Sequence, residues 1–166
     1  MALAHPEGTA LLELEQHSRR HGSGLTANDL EGTWQLWQLW SRRQARPMPA
    51  AVALLRPLGA CLAITAMDGG PLGVRNSVQL GSLQLCFVGE GALRGRRPLL
   101  VFWFERVELR LARRLLWQRP LPRPGNERSR PFFALIASRR QGEEGWLAAR
   151  GRGGGLALWR LAPPAP

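Results

Sequence analysis

The stretch "LEGTWQLWQLWSRR", Leu30 to Arg43, decides the fold. It places three of the chain's seven tryptophans, Trp34, Trp37 and Trp40, within seven residues. Periodicity fits a helix slightly better, with Gln35, Gln38 and Ser41 on one side and the tryptophans and leucines on the other. As a strand the alternation is imperfect, because Gln38 falls on the face of Trp34, Leu36 and Trp40. Composition leans the other way. Trp and Thr favour strands, and Gly32 can end a helical turn just upstream, so a fresh element begins there. On balance the segment reads as a strand.

Upstream, "GTALLELEQHSRRHG" predicts a short helix. Thr9 is placed to cap it, Arg19, Arg20 and His21 suit its C-terminal end, and Gly22 stops it. "LTANDLEG" predicts a second helical turn, with Thr26 and Asp29 spaced as a capping box.

Downstream the strand signals multiply. "PMPAAVALLRP" reads as a loop and a short helix, and "LGACLAITAM" as a buried strand. "GVRNSVQL" alternates cleanly, and Gly81–Ser82 turns it into "LQLCFV" as a hairpin. "PLLVFWFERVELRL", "PFFALIAS", "GWLAAR" and "GLALWRL" complete seven to nine short strands, the pattern of an all-β sandwich or barrel. "QRPLPRPGNERSRP" reads as a Pro-rich connection and "APPAP" as a frayed tail. Leu99 to Phe104 is apolar on both faces. Its outer face is therefore expected to be covered, first of all by the N-terminal helices, otherwise by a partner or a membrane surface.

Composition bounds the function. The chain has 166 residues and a formal charge of +11. That charge commonly points to nucleic acid or acidic membranes. All 23 basic residues are Arg, Lys and Tyr are absent, and there are two Ile and three Asn. That is the signature of a GC-rich coding sequence, and the arginines are scattered pairs rather than a run. They read mainly as a solvated surface, with a further use against anionic headgroups or acidic partners. "FWFER" and "LWQRP" interleave aromatic and basic residues only faintly, so nucleic acid is disfavoured. Cys61 and Cys86 fit no metal spacing and read as reduced, buried side chains of a cytosolic-type compartment. The N-terminus has no basic start, and Glu13 and Glu15 interrupt any signal-like apolar run. Pro47 to Met67 comes nearest to a membrane span. Arg56 at its middle would cost roughly 3 kcal/mol on insertion scales, so a span is rejected.

Catalytic constellations are missing. The three His lie before Gly22. His17, His21 and Glu13 share a helix face but lack the zincin pattern and read as exposed. Glu105 and Glu108, three apart on one strand, face opposite ways and make poor paired acids. Glu105 shares parity with Val101, Trp103 and Val107 and is expected to point inward. There it would be either an ion pair with Arg or an acid reading a polar ligand head. "ARGRGGGLALWRL" lacks the Lys-Ser/Thr of a phosphate loop and reads as a turn or bulge between strands.

Three pieces, in order, resemble the plastid lipid-associated protein family, also called fibrillins or plastoglobulins, of plastids and cyanobacteria. They are "LEGTWQL" (Leu30 to Leu36), "PLPRP" leading to "GWL" (Gly145 to Leu147), and "RGRGGGLALW" (Arg150 to Trp159). The chain departs from that family in having no Tyr, Arg152 where an acid is common, and only two alanines between "GWL" and Arg150. The resemblance implies a mainly β fold, a lipocalin-like (calycin) antiparallel β-barrel with a short N-terminal helical prefix, and makes Trp34 a strand residue. It implies binding or organising lipophilic molecules at thylakoid-linked lipid structures. Lipocalins share the Gly-x-Trp start, with an Arg from a late strand packed on that Trp. Arg150 or Arg160 would then close the barrel end over Trp34, with Gly32 and Gly151 as structural glycines.

The resulting expectation is a helical prefix over 1–29, a barrel over 30–162 and a tail over 163–166. Its function would be non-enzymatic binding of a quinone, carotenoid or lipid, without a cofactor. The cavity wall would draw on Trp34, Leu36, Phe87, Val101, Trp103, Glu105, Trp146 and Leu158. The alternatives are a packed barrel docking an anionic membrane or acidic protein, or a bilin lyase-like calycin. The expected location is cytoplasmic, at the periphery of thylakoid membrane or lipid bodies.

Overall fold

Trp34, Trp37 and Trp40 lie in a strand. In the computed structural model, which describes residues 3–41, 47–55, 58–67, 70–126 and 129–163, this strand, β1, spans Gly32–Trp40. It follows two helices, α1 (Gly8–His21) and α2 (Ala27–Leu30). After it come α3 (Pro49–Leu55), β2 (Cys61–Thr65), β3 (Leu72–Leu80), β4 (Leu83–Arg94), β5 (Leu99–Leu111) and β6 (Arg114–Pro120). The chain ends on β7 (Phe132–Gln141), β8 (Glu144–Gly151) and β9 (Leu156–Leu161). The fold is mainly β, as the strand signals imply.

The strands form one antiparallel sheet in the order β4-β3-β2-β1-β9-β8-β7-β5-β6, and β4 also pairs β5. That last pairing carries the sheet round into a ring of eight strands, from which β6 projects. The long β5 makes this possible by changing partners along its free side. Leu99 to Val101 pair with β7, and Arg106 to Leu111 pair with β6.

Bulges on β1, β7 and β5 set which side chains face the ring. On β7, Leu135 opposes Ala149 and Ala137 opposes Ala148, so Ile136 is the extra residue. On β1, Leu36 opposes Trp159 and Gln38 opposes Leu158, so Trp37 is the extra residue of a bulge. The extra residue shifts the parity, as a bulge must. Trp34 and Leu36 join the interior, while Trp40 turns to the outer face. This is why Gln38 spoils the simple alternation. On β5, Phe104 opposes Gly89 and Arg106 opposes Val88, so Glu105 is the extra residue.

The ring's interior is one packed apolar cluster. Trp34, Leu36, Leu62, Ile64, Val74, Leu100, Phe102, Leu135, Leu147 and Trp159 all belong to it and are buried. A second cluster lies on the outer face, where Leu3 and Leu11 of the N-terminal segment cover Trp40, Ile136, Trp146, Leu156 and Leu158. Each buried Leu contributes about 2 kcal/mol, so α1 is held by the apolar stripe it hides.

The prefix departs from expectation at its start. Glu7, not Thr9, is the N-cap, without a side-chain cap bond. Thr9 lies inside the helix, since the backbone N–H of Leu11 already bonds Glu7 O at 2.9 Å. The C-terminal end is as read. Gly22 takes φ +85° and its N–H bonds Ser18 O at 2.9 Å. Thr26 donates its backbone N–H and its hydroxyl to Asp29 Oδ2, at 2.8 and 2.7 Å.

The outer face of β5 is covered differently from expectation. The connection between β6 and β7 lies over it, with the Arg130 guanidinium 4.8 Å from the Trp103 ring centre. Pro131 O accepts from Phe102 N–H at 3.1 Å. Among the described residues no helix is long and apolar enough to cross a membrane.

Gly89 is where the sheet tolerates no side chain. A Cβ there would stand 1.9 Å from Trp103 O and 2.7 Å from Phe104 Cα, both backbone atoms. Gly89→Ala is expected to cost about 3 kcal/mol or more. Gly91→Ala should cost less, because its nearest neighbours are side-chain carbons at 3.0 to 3.2 Å. Urea unfolding of both variants checks the order.

Candidate functional site

The Trp34 indole is fully buried, and its Nε1–H donates to Leu30 O at 2.7 Å. This bond ties β1 back to the helical turn before it. The cation on its ring is Arg140, 5.1 Å from the ring centre, not Arg150 or Arg160. Gly32 makes room for that contact. Its φ is +130°, and a Cβ would meet Leu161 Cδ1 at 2.9 Å and Arg140 Nη2 at 3.0 Å. The structural role expected of Gly32 therefore has a steric basis. Gly151 has none of that kind, since its nearest neighbour would be 3.8 Å away.

Arg150 is engaged elsewhere. Its Nε donates to Glu15 Oε1 at 2.7 Å, and its Nη2 bonds Glu15 Oε2. Arg19 and Arg97 reach the same Oε1 at 2.9 and 3.1 Å. Glu15 is 3 % exposed. Burial alone would push its carboxyl up, but the hydrogen bonds and charges of Arg150 and Arg19 outweigh this and bring it down to about 2. The sequence identifies Glu15 only as a break in an apolar run. Its real place is a junction between α1, β8 and the turn before β5.

Arg160 stacks instead on Trp37, 4.2 Å from the ring centre. Together they line a cleft of about 540 Å³ with Gln35, Leu36, Gly59, Ala60, Leu161 and Pro163. The cleft opens where β2 stops flanking β1, since their pairing ends at Gln35 and Cys61. The bulge at Trp37 turns its indole out into this space. An aromatic plane, aliphatic walls and one guanidinium suit an apolar molecule with an anionic or polar end.

The expected wall residues separate. Trp34 and Leu36 belong to the interior cluster. Phe87 stands at the end of an interior aromatic row. Ring centres are 5.4 Å apart for Phe87–Phe104, 5.5 Å for Phe102–Phe104, 5.3 Å for Phe102–Phe133 and 6.2 Å for Phe133–Trp159. Trp146 and Leu158 lie in the outer cluster under α1, because β8 and β9 turn Leu147, Ala149, Ala157 and Trp159 inward instead. Val101 and Trp103 occupy the face of β5 opposite Leu100 and Phe102, partly buried. Parity alone chose the wrong side of these strands.

Glu105 does not point inward to a buried partner. As the bulge residue its side chain is 34 % exposed, and it pairs with the exposed Arg123 at 3.1 Å. Glu108 is the buried acid, at 2 % exposure. Arg106 Nε and Arg110 Nε reach its two oxygens at 2.7 and 2.9 Å. Burial raises its carboxyl and the two arginines lower it further, for a net shift downward. Cys61 and Cys86 are free thiols pushed up by burial, which keeps them protonated at neutral pH.

Comparison with protein-family models, curated proteins and solved structures finds no match.

The Glu15 cluster predicts an acid-labile fold. A carboxyl held at about 2 against an ordinary 4.5 stabilises the folded state by about 3 kcal/mol above pH 4.5. That contribution is lost as the pH falls from 4.5 towards 2, because the unfolded chain then takes up a proton that the folded chain refuses. Glu15→Gln should lower the urea-derived stability at pH 7 by about 3 kcal/mol. The gap to the native sequence should narrow at pH 3.

Proposed function

We propose that this chain is a non-enzymatic, lipocalin-like barrel that binds a lipophilic small molecule bearing an anionic or polar end. The observation that carries the reading is the cleft beside β1, which the Trp37 indole and the Arg160 guanidinium line together with Ala60 and Leu161. Its volume of about 540 Å³ falls in the range of small-molecule sites. The closed circuit of strand pairings supports the barrel, because a ring of sheet gives the cleft rigid walls.

The packed interior moves the binding role outward. Trp34, Leu62, Ile64, Leu100, Leu135, Leu147 and Leu158 are each no more than 2 % exposed, filling the ring and the seam under α1. An amphiphile would lay its chain along Trp37 and the aliphatic floor and direct its head to Arg160. An acyl lipid or another lipophile with an acidic head meets these demands.

Organic extracts of natively purified protein should contain such a molecule by mass spectrometry. Titration with oleate should quench or shift tryptophan emission saturably. Arg160→Ala should weaken oleate binding about fivefold to tenfold, since it removes one exposed charge and the stack on Trp37. Extracts free of lipid together with unsaturable titrations would refute the reading.

A further inference from the structure

The β3–β4 and β5–β6 hairpins end side by side, away from the cover that α1 provides. Leu83 opposes Leu111 across the β4–β5 pairing, and Ala112 N–H bonds Ser82 O at 2.9 Å, so the two tips form one body. Every residue from Leu111 to Pro120 is exposed. Leu80 is 69 % exposed, Leu116 56 % and Trp117 49 %, and Leu83, Leu111 and Leu115 are each at least 39 % exposed. These six are most of the large apolar side chains the described residues leave in water. Patches of this kind mark interaction sites.

The register shows the kind of surface that would receive them. Trp117 opposes Leu109, and Leu115 opposes Arg110, with Leu116 as the extra residue of a bulge between them. The outermost strand is therefore apolar on both of its faces and at its tip. A protein groove covers one face of a projecting strand. A bilayer surrounds a tip from all sides.

Arg113, Arg114 and Arg119 are exposed within the same segment. None of them makes an ion pair with a described residue. No Asp or Glu occurs from Leu109 to Pro124, and the acids just before, Glu105 and Glu108, are already paired with arginines. The patch thus joins leucines and an indole to uncompensated positive charge. Tryptophan settles at the headgroup level, and arginines extend from the apolar layer to the phosphates. A second copy of the chain fits poorly. It would bring the two sets of arginines together, and the bulge at Leu116 and Pro120 spoil β6 as an edge for pairing.

We propose that these paired hairpin tips seat the protein on an anionic lipid bilayer, with Leu116 and Trp117 in the interface and Arg113, Arg114 and Arg119 on the headgroups. This seat is separate from the cleft beside β1 and does not require it. Each arginine near such a surface is worth about a fivefold change in partitioning.

Sedimentation of the full chain with large unilamellar vesicles tests it. Vesicles of phosphatidylcholine with 30 % phosphatidylglycerol form the anionic arm, and phosphatidylcholine alone the neutral arm. Binding should be at least tenfold stronger in the anionic arm and should fall as salt rises from about 50 to 500 mM. Arg113→Gln/Arg114→Gln should lose about 25-fold, and Leu116→Ser/Trp117→Ser at least tenfold. Arg20→Gln/Arg96→Gln, a control of the same net charge at other exposed positions, should stay within threefold of the native chain. These side chains are all exposed, so near-UV circular dichroism should be retained, apart from the Trp117 contribution. Equal losses in both arginine pairs, equal binding to the two vesicle types, or tip-dependent dimerisation in ultracentrifugation without vesicle binding would each overturn the proposal. Arg160→Ala should leave vesicle binding unchanged, which separates this test from that of the cleft.

Discussion

One bulge in β1 governs the arrangement of the rest. Trp37 is its extra residue, and that offset lets a single strand supply two cores. Before it, Trp34 and Leu36 enter the ring; after it, Trp40 goes to the face that α1 covers. Without the offset, Trp40 would be driven inward among side chains that already fill the space, and the seat of α1 would lose its indole. The bulge residue itself is put to use, since its indole carries Arg160 at the mouth of the cleft. Core division and candidate site thus have one geometric cause.

The same economy governs the two buried acids. Glu15 and Glu108 are almost wholly excluded from water, where a lone carboxylate would be very costly. Each is instead held by two or more arginines, which an Arg-rich chain supplies readily. The consequences differ with place. Glu108 joins neighbouring positions of a single strand and stiffens it locally. Glu15 draws Arg97 and Arg150 from distant parts of the chain onto α1, so the helical cover and the ring stand or fall together. Because Arg150 is committed there, the face of Trp34 is left to Arg140, and the end of the ring closes by a different residue from the one the lipocalin pattern implies.

Much of the fold was legible, and the failures share a cause. The short helices, the Gly81–Ser82 hairpin and the last three strands follow from alternation, caps and turn glycines. Side-chain direction did not follow, because bulges at Trp37, Glu105 and Ile136 break the period of two without leaving a mark in composition. Glu105 therefore seemed paired in parity with Val107, when the two lie on either side of the shift. β6 leaves no clear signal in the sequence for a related reason. The turn before it is made by Ala112 and Arg113 at φ 47° and 71°, where a tight hairpin ordinarily shows Gly or Asn. The strand buries nothing that would give it an amphipathic pattern. Of the candidate site, the sequence offers Arg160 only as one of two arginines to close over Trp34, a structural role; its place over Trp37 comes from tertiary structure.

These features give the molecule two unlike ends. Around β1 and β7–β9 the outer apolar face is sealed by α1 and the N-terminal segment, and the charges beneath are matched. Along β3–β6 the sheet runs beyond the ring, and its tip keeps leucines and arginines in water together. Edge strands that must avoid unwanted partners carry charge in place of large apolar side chains. β6 carries both, setting leucines and an indole beside positive charge in water. Exposing six large apolar residues opposes solubility without adding to the packed interior, and the proposed seat on an anionic bilayer would account for that cost. The ligand proposed for the cleft beside β1 has the same two-part chemistry. Because the described side chains of the interior cluster are buried against one another, both proposals place binding on outer features, and both call for amphiphiles.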